Sequence, residues 1–165
     1  MTYESLVKRL SFLGQTLATA ESCTGGLIAK QITDIPGSSR VFMGGVVTYH
    51  DDMKIKFLGV KESTLSEHGA VSQETVREMV EGIIYLTDCD FGVAVSGIAG
   101  PAGGSDEKPV GTIFIGTGYR EDIVVRKYFF KGSRHSVRKQ SSAAAVVQLI
   151  ELIDRHAEGE LLSPD

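Results

Sequence analysis

Residues Thr16-Leu17-Ala18-Thr19-Ala20-Glu21-Ser22-Cys23-Thr24-Gly25-Gly26 run from an apolar, strand-like segment through a tight turn into a helix start. That order demands a strand whose end opens directly onto a helix N-terminus, the repeating unit of layered α/β domains. The small residues and the glycine pair let backbone approach backbone, or a ligand, where a larger side chain would clash. Ser22 or Thr24 can cap the helix whose apolar positions follow at Leu27, Ile28, Ile32 and Ile35, because a hydroxyl satisfies one orphan N–H of a first helical turn. Those same N–H groups, at the positive end of the helix dipole, suit an anion or a developing oxyanion. A cap accounts for one hydroxyl. It does not account for a carboxylate, two hydroxyls and a thiol in the four consecutive positions 21–24, which makes this turn the first candidate for chemistry.

The periodicity of the remaining chain builds a domain around that turn. Tyr3, Leu6, Val7, Leu10 and Leu13 share one face of a helix over residues 2–13 that Gly14 ends. A strand over 16–20 and a helix over 22–34 follow, the latter stopped by Asp34-Ile35-Pro36-Gly37. Phe42 to Tyr49 reads as a strand with a Gly44-Gly45 bulge. Asp51 or Asp52 then caps a short helix through Leu58, closed by Gly59. A helical piece near 63–68 ends at Gly69, and Ser72 caps an amphipathic helix carrying Val76, Met79, Val80, Ile83 and Ile84. Strands are expected at 91–96, 110–117 and 123–130, the last two joined as a hairpin over Gly118 to Asp122. A helix from Ser133 to about His156 closes the chain, with a tail after about residue 157 prone to fray. The predicted fold is one α/β layered domain over residues 1–165, a sheet that mixes parallel and antiparallel strands, flanked by helices.

Composition narrows the function classes. A chain of 165 residues can bury a core without staples. A formal charge of -4, with Lys and Arg scattered, offers no basic field for nucleic acid. Two cysteines, Cys23 and Cys89, are too few for a disulfide framework, and Met1-Thr2-Tyr3-Glu4 begins no leader pattern, so a cytoplasmic protein is expected. No apolar run reaches the roughly 20 residues of a membrane span.

Several constellations could carry chemistry. Ser96-Gly97-Ile98-Ala99-Gly100-Pro101-Ala102-Gly103-Gly104-Ser105 leaves the end of a strand, where α/β sheets bind ligands, and its amides could form an anion cradle. It has neither the Gly-Lys-Ser/Thr of a P-loop nor the Gly-x-Gly-x-x-Gly spacing of a dinucleotide fold. A nucleophilic Ser22 needs a base. Glycine at position 25 excludes a Ser-x-x-Lys arrangement, so a lysine has to come from elsewhere, with Lys54 and Lys56 the candidates and a solvated surface role the alternative for each. Cys23 could itself be the nucleophile, or a small buried filler. His50-Asp51-Asp52 has the spacing of neither a metal site nor a triad, and His68, His135 and His156 are scattered. Arg138, with Ser133, Arg134 and Lys139 at the start of the last helix, could hold a phosphate or simply face solvent.

Taken together, Thr19 to Gly26, Val47-Thr48-Tyr49 with Lys54, His68-Gly69-Ala70-Val71-Ser72, Ser96 to Pro101 and Gly103-Gly104-Ser105 with Lys108-Pro109-Val110-Gly111-Thr112 resemble the CinA C-terminal domain family. The likeness spans nearly the whole chain and is nearest to the stand-alone form. The family's characterised members include the PncC-type nicotinamide mononucleotide (NMN) amidohydrolases. The resemblance implies a three-layer α/β/α fold and an amidase that converts NMN to nicotinic acid mononucleotide and ammonia without cofactor or metal, in a homo-oligomer, a dimer being favoured. It implies Ser22 as nucleophile, Lys54 as base and Tyr49 as an orienting or relaying group. Turn amides from Cys23 through Thr24, Gly25 and Gly26 would hold the oxyanion. Glu21 would brace the turn or meet the ribose, Ser96, Gly97, Gly100 and Thr112 would line the nucleotide pocket, and Arg138 would meet the phosphate.

Overall fold

The chain begins with a helix, α1 (Tyr3–Leu13), whose first turn is closed reciprocally by Thr2 and Ser5 and whose end is turned by Gly14 in the left-handed region. The computed structural model describes residues 1–161, with side chains through Glu158. The elements that follow are β1 (Leu17–Glu21), α2 (Leu27–Thr33), a single 3₁₀ turn (Ser38–Arg40), β2 (Phe42–Val47), α3 (Asp51–Leu58), α4 (Glu62–His68), α5 (Gln73–Thr87), β3 (Phe91–Gly97), β4 (Thr112–Tyr119), β5 (Asp122–Phe129) and α6 (Arg134–Leu161). Every predicted element is present. α6 runs past the expected end at His156 to Leu161, so the tail expected to fray after residue 157 is helical that far, and residues 162–165 lie outside the described residues.

The five strands form one sheet in the order β2-β1-β3-β4-β5. β1 is parallel to both its neighbours, with Glu21 level with Val47 on one side and Val95 on the other. β4 runs antiparallel to both β3 and β5 and is joined to β5 by a tight turn at Arg120-Glu121. The sheet is thus mixed, as the hairpin pattern requires.

Two apolar layers sandwich it. On one face Leu6, Leu10, Ile28, Ile32, Val137 and Leu149 of α1, α2 and α6 pack on Leu17, Val93, Val95 and Ile113. On the other, Val76, Met79, Val80 and Ile83 of α5, with Leu58 of α3, pack on Ala18, Ala20, Ala94 and Phe114. Each such aliphatic side chain, enclosed almost completely, contributes about 1.5–3 kcal/mol. β1, β3 and β4 are covered on both sides, which is why their sequences read as continuous apolar runs rather than alternations.

The connections place a crevice. The helix that follows β1 lies on one face of the sheet, whereas the helices that follow β2 reach the other. Chains leaving the C-terminal ends of adjacent parallel strands toward opposite faces part there, at the switch point where open α/β sheets take their ligands. Ser22 leaves β1 at that point. Tyr49 and Lys54 leave β2.

Candidate active site

Backbone hydrogen bonds hold the Ser22 turn between its neighbours. The Ser22 N–H donates to Val95 O (2.9 Å), and the Thr48 N–H donates to Glu21 O (2.9 Å), so the peptide before Ser22 is tied to the exit of β2 and Ser22 itself to β3. The turn closes through Gly25 N–H to Ser22 O at 3.0 Å. Helix α2 starts only at Leu27, and neither Ser22 nor Thr24 caps it. The cap is the Glu21 side chain, fully enclosed, whose Oε2 accepts from the amides of Gly26 (3.0 Å) and Ile28 (3.1 Å) and whose Oε1 accepts from Ala29 (2.8 Å). A carboxylate at a helix N-terminus gains from both the orphan amides and the dipole. Of the two roles expected for Glu21, its geometry matches the brace: both oxygens are spent on the turn. The first amides of α2, Gly26 among them, are likewise spent and cannot receive an external anion. Among the described residues the Cys23 and Thr24 amides face no carbonyl or carboxylate, which leaves them for that task.

Lys54 is the most deeply enclosed basic side chain among the described residues, at 1% exposure. His50 caps α3 through its Nδ1, which accepts the Asp52 amide at 3.2 Å, a role expected of Asp51 or Asp52. Lys54 points inward from α3, and its Nζ donates to Tyr49 O (3.3 Å) and to Asp51 Oδ1 (3.1 Å). Lys56, the alternative base, is exposed, its Nζ 5.9 Å from the Phe57 ring centre. Of the two lysines only Lys54 is enclosed. The relay expected of the Tyr49 hydroxyl is not formed, however. Tyr49 is 58% exposed, meets Lys54 through its main-chain carbonyl, and accepts with its hydroxyl from Arg134 Nη2 at 2.6 Å. The Ser22 hydroxyl has no hydrogen-bond partner among the described residues.

Arg134 and Arg138 cover the crevice from the first turns of α6. Arg134 Nη1 donates to Gly100 O (2.9 Å), so one guanidinium spans the Tyr49 corner and the glycine-rich loop. Arg138 Nη2 donates to Thr24 O (2.7 Å), while its Nε is buried without a partner. Thr24 Oγ1 and Thr48 Oγ1, at the exits of β1 and β2, are also buried and unpaired. Thr19 Oγ1 within β1 is unpaired as well, and such buried atoms without partners are rare in native interiors.

Other expected pocket residues serve the scaffold. Ser96 is enclosed and donates its hydroxyl to Ala70 O (2.7 Å) instead of lining the crevice. A Cβ at Gly97 would lie 2.3 Å from Ile113 Cδ1, so this glycine is required by the approach of β4. Thr112 is enclosed at the start of β4, and Gly100 faces the site through its carbonyl. Cys23 lies in the core with Val95 and Val137, and burial pushes its thiol up to about 12. A thiol so placed holds its proton at neutral pH.

The description "CinA C-terminal domain" matches residues 2–153. The chain belongs to the CinA C-terminal domain family. This CinA domain is 50% identical over 146 residues to a CinA-like protein of Thermotoga maritima, covering 88% of the chain and 36% of that protein. It is 49% identical over 144 residues to a CinA-like protein of Endomicrobium trichonymphae, covering 87% and 34% respectively. The chain thus spans about a third of the length of these relatives. Among solved structures, the competence/damage inducible protein CihA of Agrobacterium tumefaciens superposes with a TM-score of 0.86 at 42% identity, covering 91% of this chain and 94% of that one. A CinA superfamily protein of Klebsiella pneumoniae superposes with a TM-score of 0.89 at 34% identity, covering 94% and 99%.

In this CinA domain two residues named in the sequence, Asp51 as a helix cap and Arg134 as a neighbour of Arg138, make contacts that were not expected of them. Asp51 pairs with Lys54, and Arg134 ties Tyr49 to Gly100, contacts that span 3 and 85 residues. Asp51 sits at helical spacing ahead of Lys54 and was detectable on that ground. The Arg134 contact had no sequence signal, because only the fold brings the start of α6 to the exit of β2. No helix among the described residues is long and apolar enough to cross a membrane.

Proposed function

We infer that this CinA domain hydrolyses the carboxamide of NMN to nicotinic acid mononucleotide and ammonia. The observation that carries this reading is the enclosed Lys54 amine, held one residue beyond the Thr48–Glu21 hydrogen bond that anchors the peptide before Ser22. In the reaction, Ser22 Oγ attacks the amide carbon and its proton passes to the Lys54 amine. The oxyanion is met by the Cys23 and Thr24 amides. Collapse breaks the C–N bond, the departing nitrogen takes the proton from Lys54, and ammonia leaves. Water then attacks the acyl-serine and gives up a proton to Lys54, the C–Oγ bond breaks, and Ser22 Oγ takes that proton back as the acid leaves. Arg134 and Arg138 supply the positive charge suited to a nucleotide phosphate.

A second reading, a nucleotide-binding module without turnover, draws on the present engagement of Lys54 with Tyr49 O and Asp51 and of the Tyr49 hydroxyl with Arg134. One experiment separates them: incubation of the pure protein with NMN, with and without a chelator, scored by ammonia and by product. Wild-type release, abolished in a folded Ser22→Ala variant, is the expected result. Release at the wild-type rate by Ser22→Ala would refute the serine mechanism, and tight NMN binding with no product after long incubation would favour the second reading.

A further inference from the structure

Three hydroxyl residues stand in a row across the C-terminal ends of the parallel strands. The ladder of β1 continues one residue past Glu21 on both sides, since the Thr48 N–H donates to Glu21 O and the Ser22 N–H to Val95 O. Glu21 is level with Val47 and with Val95. The residues that follow, Thr48, Ser22 and Ser96, therefore lie side by side with neighbouring strands about 4.8 Å apart. Side chains alternate along a strand, and Val46, Ala20 and Ala94, two positions earlier, all belong to the layer of α3 and α5. The row points into that layer. Lys54 reaches it too, on the buried face of α3 that it shares with Leu58.

The three hydroxyls differ in what holds them. Ser96 donates to Ala70 O at 2.7 Å. Thr48 is wholly enclosed, at 0% exposure, and its Oγ1 has no partner among the described residues. An unpaired buried hydroxyl costs stability, and valine would fill the same space without that cost. The group is thus of use only to a partner it does not yet hold, and the neighbour in its row is Ser22.

We propose that Thr48 is a catalytic partner of Ser22, its Oγ1–H turning to donate to Ser22 Oγ as charge develops on that oxygen. This rests on the amidase reading, in which Ser22 Oγ is first the nucleophile and later the leaving group. The bond occupies one lone pair of Ser22 Oγ, leaves the other for the amide carbon and leaves the Ser22 proton for Lys54. It steadies the same oxygen in attack and in release, within an enclosed site where such a bond is strong. Thr19 is the internal control. Its Oγ1 is also buried and unpaired, but it lies three residues earlier in β1 and on the opposite face, with Leu17.

The test reads kinetics and melting together in the full chain. Thr48→Val should lower kcat for ammonia release from NMN about ten- to a hundredfold with KM unchanged, the equivalent of one hydrogen bond to a charged group. The same variant should melt roughly 2–4 °C higher, because the unpaired hydroxyl is gone. Thr48→Ser should recover most of kcat, and Thr19→Val should melt higher with kcat unchanged. The proposal is overturned by wild-type kcat in Thr48→Val, by a Thr48→Val protein that melts below the wild type or fails to fold, by a Thr48→Ser as slow as Thr48→Val, or by an equal loss of turnover in Thr19→Val. Should the wild type release no ammonia from NMN, the amidase reading fails by itself, and the rate at which a fluorophosphonate labels Ser22 takes the place of kcat. Slower labelling in Thr48→Val with recovery in Thr48→Ser then supports the contact, whereas equal rates, or no labelling of the wild type, overturn it.

Discussion

Arg134 donates to the Tyr49 hydroxyl at 2.6 Å and, from its other terminal nitrogen, to the Gly100 carbonyl at 2.9 Å. One side chain from the start of α6 therefore joins the corner after β2 to the loop after β3, the two walls of the crevice on either side of the Ser22 turn. A planar fork can hold two acceptors at once, and an ammonium on a flexible stem cannot hold them in the same geometry.

From this follows the first expectation. Under the proposed reaction, Arg134→Ala and Arg134→Lys should both raise KM for NMN about tenfold, the equivalent of one lost charge-assisted hydrogen bond, with little change in melting temperature. Steady-state kinetics beside a melting curve checks it. A lysine variant with wild-type KM would show that charge alone suffices.

Glu21 is expected to act on stability. Its carboxylate satisfies three amides of α2 in an enclosed site, and Glu21→Ala leaves them without partners at a cost of about 3 kcal/mol. For a domain of this size that lowers the melting temperature by roughly 6–12 °C. Glu21→Gln, which keeps one acceptor oxygen, should fall between. Calorimetry decides it, and a Glu21→Ala protein melting with the wild type would mean that the amides find other partners.

Lys54 and Lys56 should separate cleanly. Lys54→Met places a similar apolar volume where the enclosed stem lies and should keep the fold while abolishing ammonia release from NMN. Lys56→Ala, at an exposed position, should leave the rate within about twofold, as most surface changes leave stability unaffected. Loss of turnover in Lys56→Ala alone would reverse the assignment.

Cys23 gives a pH-dependent expectation. Its thiol is raised by burial from 9.0 to about 12, so the thiolate fraction at pH 8 is about a thousandfold lower than in the unfolded chain. Iodoacetamide at pH 8 should label native Cys23 slowly and the unfolded chain fast, and Cys23→Ala should retain activity. The folded state holds this proton more tightly than the unfolded one, so the contribution to stability is complete below pH 9 and is lost as pH rises from 9 toward 12. Urea midpoints should therefore fall across that window more steeply in the wild type than in Cys23→Ala.

Much of the architecture was legible in the residues because it rests on local physics. Gly14, Gly59 and Gly69 end helices where a left-turning backbone is needed, and Ser72 caps α5 through the Thr75 amide as its position predicts. The strands were found by their apolar runs, and the hairpin of β4 and β5 by the polar residues at its turn. What was misread lies where a local rule met a stronger distant partner. Ser22 and Thr24 were reasonable caps for α2, but the Glu21 carboxylate outcompetes a hydroxyl for the same amides. Tyr49 was matched to a relay, but Arg134 takes its hydroxyl.

The order of apolar and small residues by itself determined the elements, the mixed sheet and the presence of a chemically loaded turn after β1, since periodicity, capping and glycine conformations act within a few residues. The tertiary structure alone decided which lysine is enclosed, that Cys23 is sealed into the core, and that Arg134 reaches Tyr49 and Gly100. Burial and long-range hydrogen bonds depend on which elements pack together, and that information is distributed over the whole chain rather than written at any one position.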